Sequence, residues 1–295
     1  MMMPDVSLSI DRMRGIGWIP REANMRCARL VLLITSMLML AGCTVNPSTG
    51  KRQLILFDSA QMNAMGEQAV PEVLQEFGGE VESQVVRAYV DRVGRRLLEH
   101  IEPEYKDLAW EFYALDSDVI NAFALPGGKV FITRGLMAKF DNEAQVAAVL
   151  GHEIGHVTGR HAAERLSNAF ITEGLLSVID EATDEELVNL GASVAAQGVM
   201  LKFSRGDELE SDGQGLKYMV RAGYDPMAMI GVLEVLKEAS QSGRPPEFLS
   251  THPYPETRIE AMKREIKERY GDTQNNPEYK TYGTKYQQEV LPLLR

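Results

Sequence analysis

The sequence predicts an α+β fold, mostly helical with one small β-sheet, on three observations. Apolar residues recur at a near-four-residue step in 81–100 (Val81, Val85, Tyr89, Val93, Leu97), the period of an amphipathic helix. Alternation of the strand type is confined to a short stretch, 109–115, where Trp110, Phe112 and Ala114 take every second place. The apolar run Ala144, Val146, Ala147, Ala148, Val149, Leu150 follows Asp141, a residue able to cap a helix, and Glu143, an acid suited to a first turn. That run reads as a largely buried helix.

The elements follow in chain order. Arg26 and Arg29 precede an apolar run from Leu30 to Leu40, too short to span a bilayer but suited to the h-region of a secretory signal. Leu40-Ala41-Gly42-Cys43 resembles the lipobox of bacterial lipoproteins. The resemblance implies a signal peptide over 1–42, cleavage before Cys43, lipid on that residue, and a periplasmic protein anchored to a membrane. Residues 1–24 carry Asp5, Asp11 and Glu22 and are long and acidic for an n-region, so Met25 or Met13 is an alternative start. Cys27 and Cys43 are the only cysteines; cleavage leaves one, so no disulfide is expected. Thr44, in place of an aspartate, favours the outer membrane.

The first 42 residues hold five basic and three acidic side chains, so their loss takes the net charge from −11 to −13. An acidic chain of this kind argues against nucleic acid as a partner. The 253 residues that remain suffice for one sizeable domain. Residues 43–57, polar and rich in turn formers, read as a lipidated tether, 58–271 as the domain and 272–295 as a polar tail lying along it. A second strand is expected through Val130, Phe131 and Ile132 after Pro126-Gly127-Gly128, and one continuous helix over about 141–164. Apolar helices are expected at 166–179 and 186–202 around an acidic stretch, Asp180 to Glu186, and are candidates for a lid. Helices at 204–221 and from Asp225-Pro226 to about 240 come next, then a loop from Gly243 to Pro246 and a charged helix from Pro255 to about Tyr270.

The chemistry concentrates in His152-Glu153-Ile154-Gly155-His156. Residues four apart share a helix face, so His152 and His156 can grip one metal ion. Glu153 lies about 100° further round, within reach of a water on that metal but poorly placed to bind the metal itself. Two imidazoles, a zinc ion and a glutamate base form the arrangement of a metalloprotease. A third protein ligand is needed. In H-E-x-x-H-x-x-G-x-x-H the last position falls on Ala162, and His161 is one residue early; on a continuous helix it points about 180° from His152. Ser204 to Asp212 offers Glu208 as a ligand, with Asp212 on the same face to support an imidazole, and Glu210 pointing away. Spacing alone reads equally well as a solvated acidic face.

The four blocks together decide between these readings. His152-Glu153-Ile154-Gly155-His156 with Arg160-His161, Glu208-x-x-x-Asp212, Thr251-His252-Pro253 with Arg258, and Asn121-Ala122-Phe123-Ala124 before Pro126-Gly127-Gly128 resemble the gluzincin family of CAAX-prenyl endopeptidases, HtpX proteases and their periplasmic lipoprotein relatives. Ser211 stands where relatives commonly have alanine. The resemblance spans about 121–259. It implies a zincin-like domain holding one Zn2+ through His152, His156 and Glu208, with Glu153 as general base and acid. It also implies an active-site role for His252, as oxyanion donor or as a ligand in a resting state, and supporting roles for Asp212 and Arg258. Substrate is expected along an edge strand at Gly128, Lys129, Val130 and Phe131. Main-chain recognition favours unfolded or misfolded polypeptide, hence quality control of envelope proteins, with envelope assembly machinery as a further partner. The rival readings are a lipid-anchored chaperone with a latent zinc site and, more remotely, a lipid hydrolase. His161 and His100 are assigned to structure.

Overall fold

The structure, a computed structural model, is described for residues 43–172, 183–198, 202–241, 246–271, 273 and 276–294. The expected signal segment, positions 173–182 and 199–201 of the expected lid, and the loop at 243–245 lie outside the described residues. Thr44–Arg295 forms one compact unit. Its elements are β1 (Cys43–Val45), β2 (Arg52–Leu54), α1 (Ser59–Glu76), α2 (Gln84–Leu98), β3 (Glu111–Leu115), β4 (Ala122–Leu125) and β5 (Lys129–Thr133). There follow α3 (Glu143–Thr158), α4 (His161–Thr172), α5 (Asp184–Gly198), α6 (Arg205–Arg221), α7 (Met227–Gln241), α8 (Pro255–Arg269) and α9 (Gly283–Glu289).

The α+β class stands, and helices dominate. The main sheet has the order β3-β5-β4, with β3 parallel and β4 antiparallel to β5. The expected edge strand is therefore the centre of the sheet. β5 is paired on both sides and buried along its whole length, so its backbone groups are already satisfied. Asn121 to Ala124, read as the approach to that strand, runs into β4, which is itself a sheet edge. Pro126-Gly127-Gly128 turns the chain between them; Gly127 has φ 75°, and a Cβ there would meet the Asn63 Cα at 2.5 Å.

α3 begins at Asn142, whose side chain accepts from the Gln145 N–H at 3.1 Å, one residue after the expected cap. Its apolar residues belong to the main core, with α2, α6, α7 and α8 around it. α3 and α6 cross where both carry small residues. A Cβ on Gly155 would lie 2.7 Å from the Ser211 carbonyl oxygen, and one on Gly215 2.8 Å from the Gly151 carbonyl carbon. That close approach brings Glu208 and Asp212 of α6 to the histidines of α3.

The single helix expected over 141–164 is broken. α3 ends at Thr158, Arg160 takes a left-handed φ of 57°, and α4 starts at His161. Residues 43–57 are not a free tether either. β1 and β2 form a hairpin whose Asn46 donates to the Thr158 carbonyl at 2.9 Å, while Gln53 donates to the Gly159 carbonyl at 2.7 Å. Amides typical of linkers here satisfy carbonyls left open at the end of α3. The hairpin leads into α1, which the sequence reading passed over; a capping box between Asp58 and Gln61 starts it. The tail docks on the core: Tyr286, Val290 and Leu294 are buried, and the Thr281 carbonyl accepts from the Ala144 N–H at 3.1 Å.

Candidate metal centre

His152 and His156 project from the second half of α3, with Nε2 atoms 3.1 Å apart. Glu208, in the first turn of α6 behind the Ser204 capping box, places Oε1 3.4 Å from His156 Nε2 and Oε2 3.6 Å from His152 Nε2. His252 follows the short helix Phe248–Thr251; its Nδ1 is 3.0 Å from Glu208 Oε1 and 3.3 Å from His152 Nε2. One ligand atom from each of the four residues lies within 4.8 Å of every other, and all four residues are buried. Donors about 2.0–2.1 Å from a tetrahedral zinc ion stand about 3.4 Å apart. The spacing here fits that.

The chemistry of the donor set fits as well. His152 Nδ1 lies 2.9 Å from Asp212 Oδ1, so the ring proton sits there and the Nε2 lone pair faces the cluster. Burial holds His156 well below the ordinary histidine value, which keeps it neutral, the form that binds a metal. Burial alone would raise the Glu208 carboxyl, but the charges of His252 and Arg258 outweigh it and hold the group well below the usual range. Glu208 is therefore a carboxylate ready to coordinate.

Arg258, fully buried in the first turn of α8, grips Asp212 with two hydrogen bonds, Nε to Oδ2 at 2.7 Å and Nη2 to Oδ1 at 2.6 Å. Its Nη1 forms an ion pair with Glu208 Oε2 at 2.5 Å. One guanidinium thus sets the orientation of two carboxylates, each of which faces an imidazole. Glu153 extends beside this cluster, with Oε1 3.7 Å from His252 Nε2. Neither atom has a hydrogen-bond partner, although both are buried. Burial raises the Glu153 carboxyl above its ordinary value. For His252 burial acts downward, and the Glu208 and Glu153 carboxylates reverse it to a net rise.

Phe203 had no place in the sequence reading, and His161 was assigned to structure alone. Phe203 stacks on His156 at 3.9 Å between ring centroids and on His252 at 5.2 Å, and its N–H donates to the Thr251 carbonyl at 2.8 Å. His161 lies beneath the centre, with Nδ1 2.9 Å from His156 Nδ1. Continuing the helix put it on the far side; Gly159 was the signal of a break in the sequence, and in the structure Arg160 takes the left-handed φ that makes it. His100 is remote from the cluster, at the end of α2, where its N–H donates to the Leu97 carbonyl. A cleft of about 380 Å³ opens beside His156, lined by Phe57, Leu125, Pro126, Ala163 and Phe203 among others.

Residues 85–266 match the sequence pattern of Peptidase family M48. The chain is 36% identical over 190 residues to the beta-barrel assembly-enhancing protease of Escherichia coli O157:H7, an overlap of 61% of this chain and 38% of that protein. It is 34% identical over 203 residues to the mitochondrial metalloendopeptidase OMA1 of Schizosaccharomyces pombe, covering 68% of this chain and 59% of the relative. With the enzyme of the same name from Arabidopsis thaliana it shares 36% over 146 residues, 50% of this chain and 29% of the relative. The chain therefore spans less than two thirds of the length of these relatives. The matched segment contains all four sequence blocks, and three of them converge on one cluster able to hold a metal ion: the chain belongs to peptidase family M48.

Proposed function

We propose that the protein is a zinc-dependent endopeptidase that hydrolyses unfolded or misassembled envelope proteins. The observation that carries this reading is the convergence of His152, His156 and Glu208, with the Glu153 carboxyl beside them, whose Oε1 makes no hydrogen bond. His152, His156 and Glu208 would hold the ion, which when bound would supply Lewis acidity toward the scissile carbonyl. Glu153 takes the proton of the attacking water and returns it to the leaving amine. His252, with Nε2 directed at the Glu153 side of the site, donates to the oxyanion as it develops. A structural zinc site has no use for a buried glutamate with an oxygen free of hydrogen bonds, which favours the enzyme over the latent-site chaperone.

β4, Ala122–Leu125, is one of the two edges of the main sheet and the one that packs against α3, so it takes the place of β5 as the strand for an extended peptide. Pairing with an edge reads backbone rather than side chains, which supports unfolded polypeptide as the substrate class. The cleft beside His156 offers room for an apolar side chain. One relative is named for β-barrel assembly, which supports a place in envelope quality control; others are named as mitochondrial. The lipobox-like segment supports lipid on Cys43 and a periplasmic address at the outer membrane. Among the described residues no helix is long and apolar enough to cross a membrane.

Zinc content and casein digestion test the proposal together. Wild type binds one zinc per chain and digests casein, whereas Glu153→Gln keeps the zinc and loses digestion. Wild-type protein that takes up no zinc, or a Glu153→Gln variant that digests as fast as wild type, overturns it.

A further inference from the structure

We infer that His161 is a positioning residue: it holds His156 in the tautomer that presents Nε2 to the metal, and it links the centre through Glu210 to Lys51 on the N-terminal hairpin. This rests on the reading above that His156 Nε2 binds zinc.

Two imidazole nitrogens 2.9 Å apart need one proton between them, and the pair His156 Nδ1 and His161 Nδ1 meets that description. His156 Nε2 faces His152 Nε2 and Glu208, so for coordination it must be unprotonated and the proton must sit on Nδ1. His156 then donates to His161 Nδ1. His161 accepts there and carries its own proton on Nε2, which points toward Glu210 Oε1 at 3.5 Å. Ser211 Oγ lies 3.3 Å from His161 Nδ1, a longer contact than the 2.9 Å one from His156, which takes the single lone pair of that nitrogen. Glu210 in turn pairs with Lys51, a residue between β1 and β2. The hydrogen bond between the two rings is the direct contact; beyond it Glu210 Oε1 makes no hydrogen bond, and the link to Lys51 is electrostatic.

The backbone is shaped for this contact. Arg160 in the left-handed region folds the chain back after α3. A Cβ on Gly159 would meet His161 Cε1 and Nε2 at 2.7 Å, so only glycine leaves room for the returning ring. His161 is buried, at 3% exposure, and its ring stands edge-on to His156 at 76°. An imidazole nitrogen accepts through a lone pair that carries no formal charge, unlike the carboxylate behind His152. His156 is accordingly oriented without being made as basic.

Removing such a support costs about 10–100-fold in metal affinity. His161→Leu should raise the zinc dissociation constant, measured by competition with a chelator, by about that factor. His161→Asn, whose side-chain oxygen occupies the place of Nδ1 and still accepts, should stay within about threefold of wild type and keep the wild-type cobalt(II) absorption spectrum. An Asn variant as impaired as the Leu variant, or a Leu variant that binds zinc like wild type, overturns the role. Should the Leu variant fail to fold, nitrogen NMR of the zinc-loaded wild type decides: a proton on His156 Nδ1 and on His161 Nε2 is expected, and His161 protonated at Nδ1 refutes the relay. Absence of zinc from wild-type protein strikes at the proposed function, whereas zinc binding indifferent to His161 strikes at this inference alone.

Discussion

His152 and His156 stand one turn apart on the same helix, yet the protein supports them in opposite ways. Behind His152 is a buried ionic clamp in which Asp212 of α6 and Arg258 of α8 meet with neither exposed to solvent. Behind His156 is a line of groups, His161 to Glu210 to Lys51, that ends at a lysine whose side chain is 58% exposed. The first support joins three helices of the core and is inseparable from the fold. The second joins the centre to a surface hairpin, where change is cheaper. A metal site can thus be rigid on one side and adjustable on the other while its donors remain close together.

The largest effect should come from breaking the clamp. Arg258→Met leaves Asp212 and Glu208 buried without their cation, and loss of one partner of a buried pair costs about 3–5 kcal/mol. Chemical denaturation should show that loss; a stability unchanged within 1 kcal/mol would mean that the core tolerates the two acids. Asp212→Asn keeps the packing but removes the charge that Arg258 and His152 share. Zinc affinity should fall by about 10–100-fold, more than for Glu210→Gln on the other side, as read by chelator competition. Equal losses for the two variants would erase the asymmetry.

Glu102 tests the hairpin side through pH. Burial would raise this carboxyl, but hydrogen bonds from Lys217 and Tyr218 outweigh it and hold it below its ordinary value of 4.5, and it also accepts from Ser48 of the hairpin. A carboxyl depressed in the folded state contributes stability that is complete above that ordinary value and is lost as the pH falls through the folded one. Glu102→Gln should therefore be less stable than wild type at pH 7 by about 1.5 kcal/mol and flatter in acid, a comparison made by denaturation at several pH values. A wild-type curve that rises on acidification would contradict it. The smallest effect is expected for Lys51→Ala, which breaks an exposed ion pair with Glu210 worth about 0–1 kcal/mol and should move zinc affinity less than about twofold. A tenfold change there would make the hairpin part of the centre proper.

Much of the site was legible because its parts are local. The H-E-x-x-H spacing presents two imidazoles on any helix, and Glu208 and Asp212 share a face for the same reason. What was misread depended on distant partners. β5 looks like an edge strand in isolation and is the middle of the sheet only because β3 and β4 close on both sides. Asn46 and Gln53 look like linker residues until the carbonyls of Thr158 and Gly159 arrive. His161 pointed away from the centre on a straight helix, and one left-handed residue reversed it.

By itself the chain determined most of its helices, though not α1 or the break after α3, together with its metal-binding spacing and its family, since periodicity and capping act over a few residues and need no partner. Only the tertiary structure decided the strand order, the meeting of α6 with α3 at their glycines, and which protonated nitrogen faces which acceptor. Those outcomes depend on contacts between residues that range from neighbouring elements to about a hundred positions apart, and no local energy term specifies which of many such contacts will form.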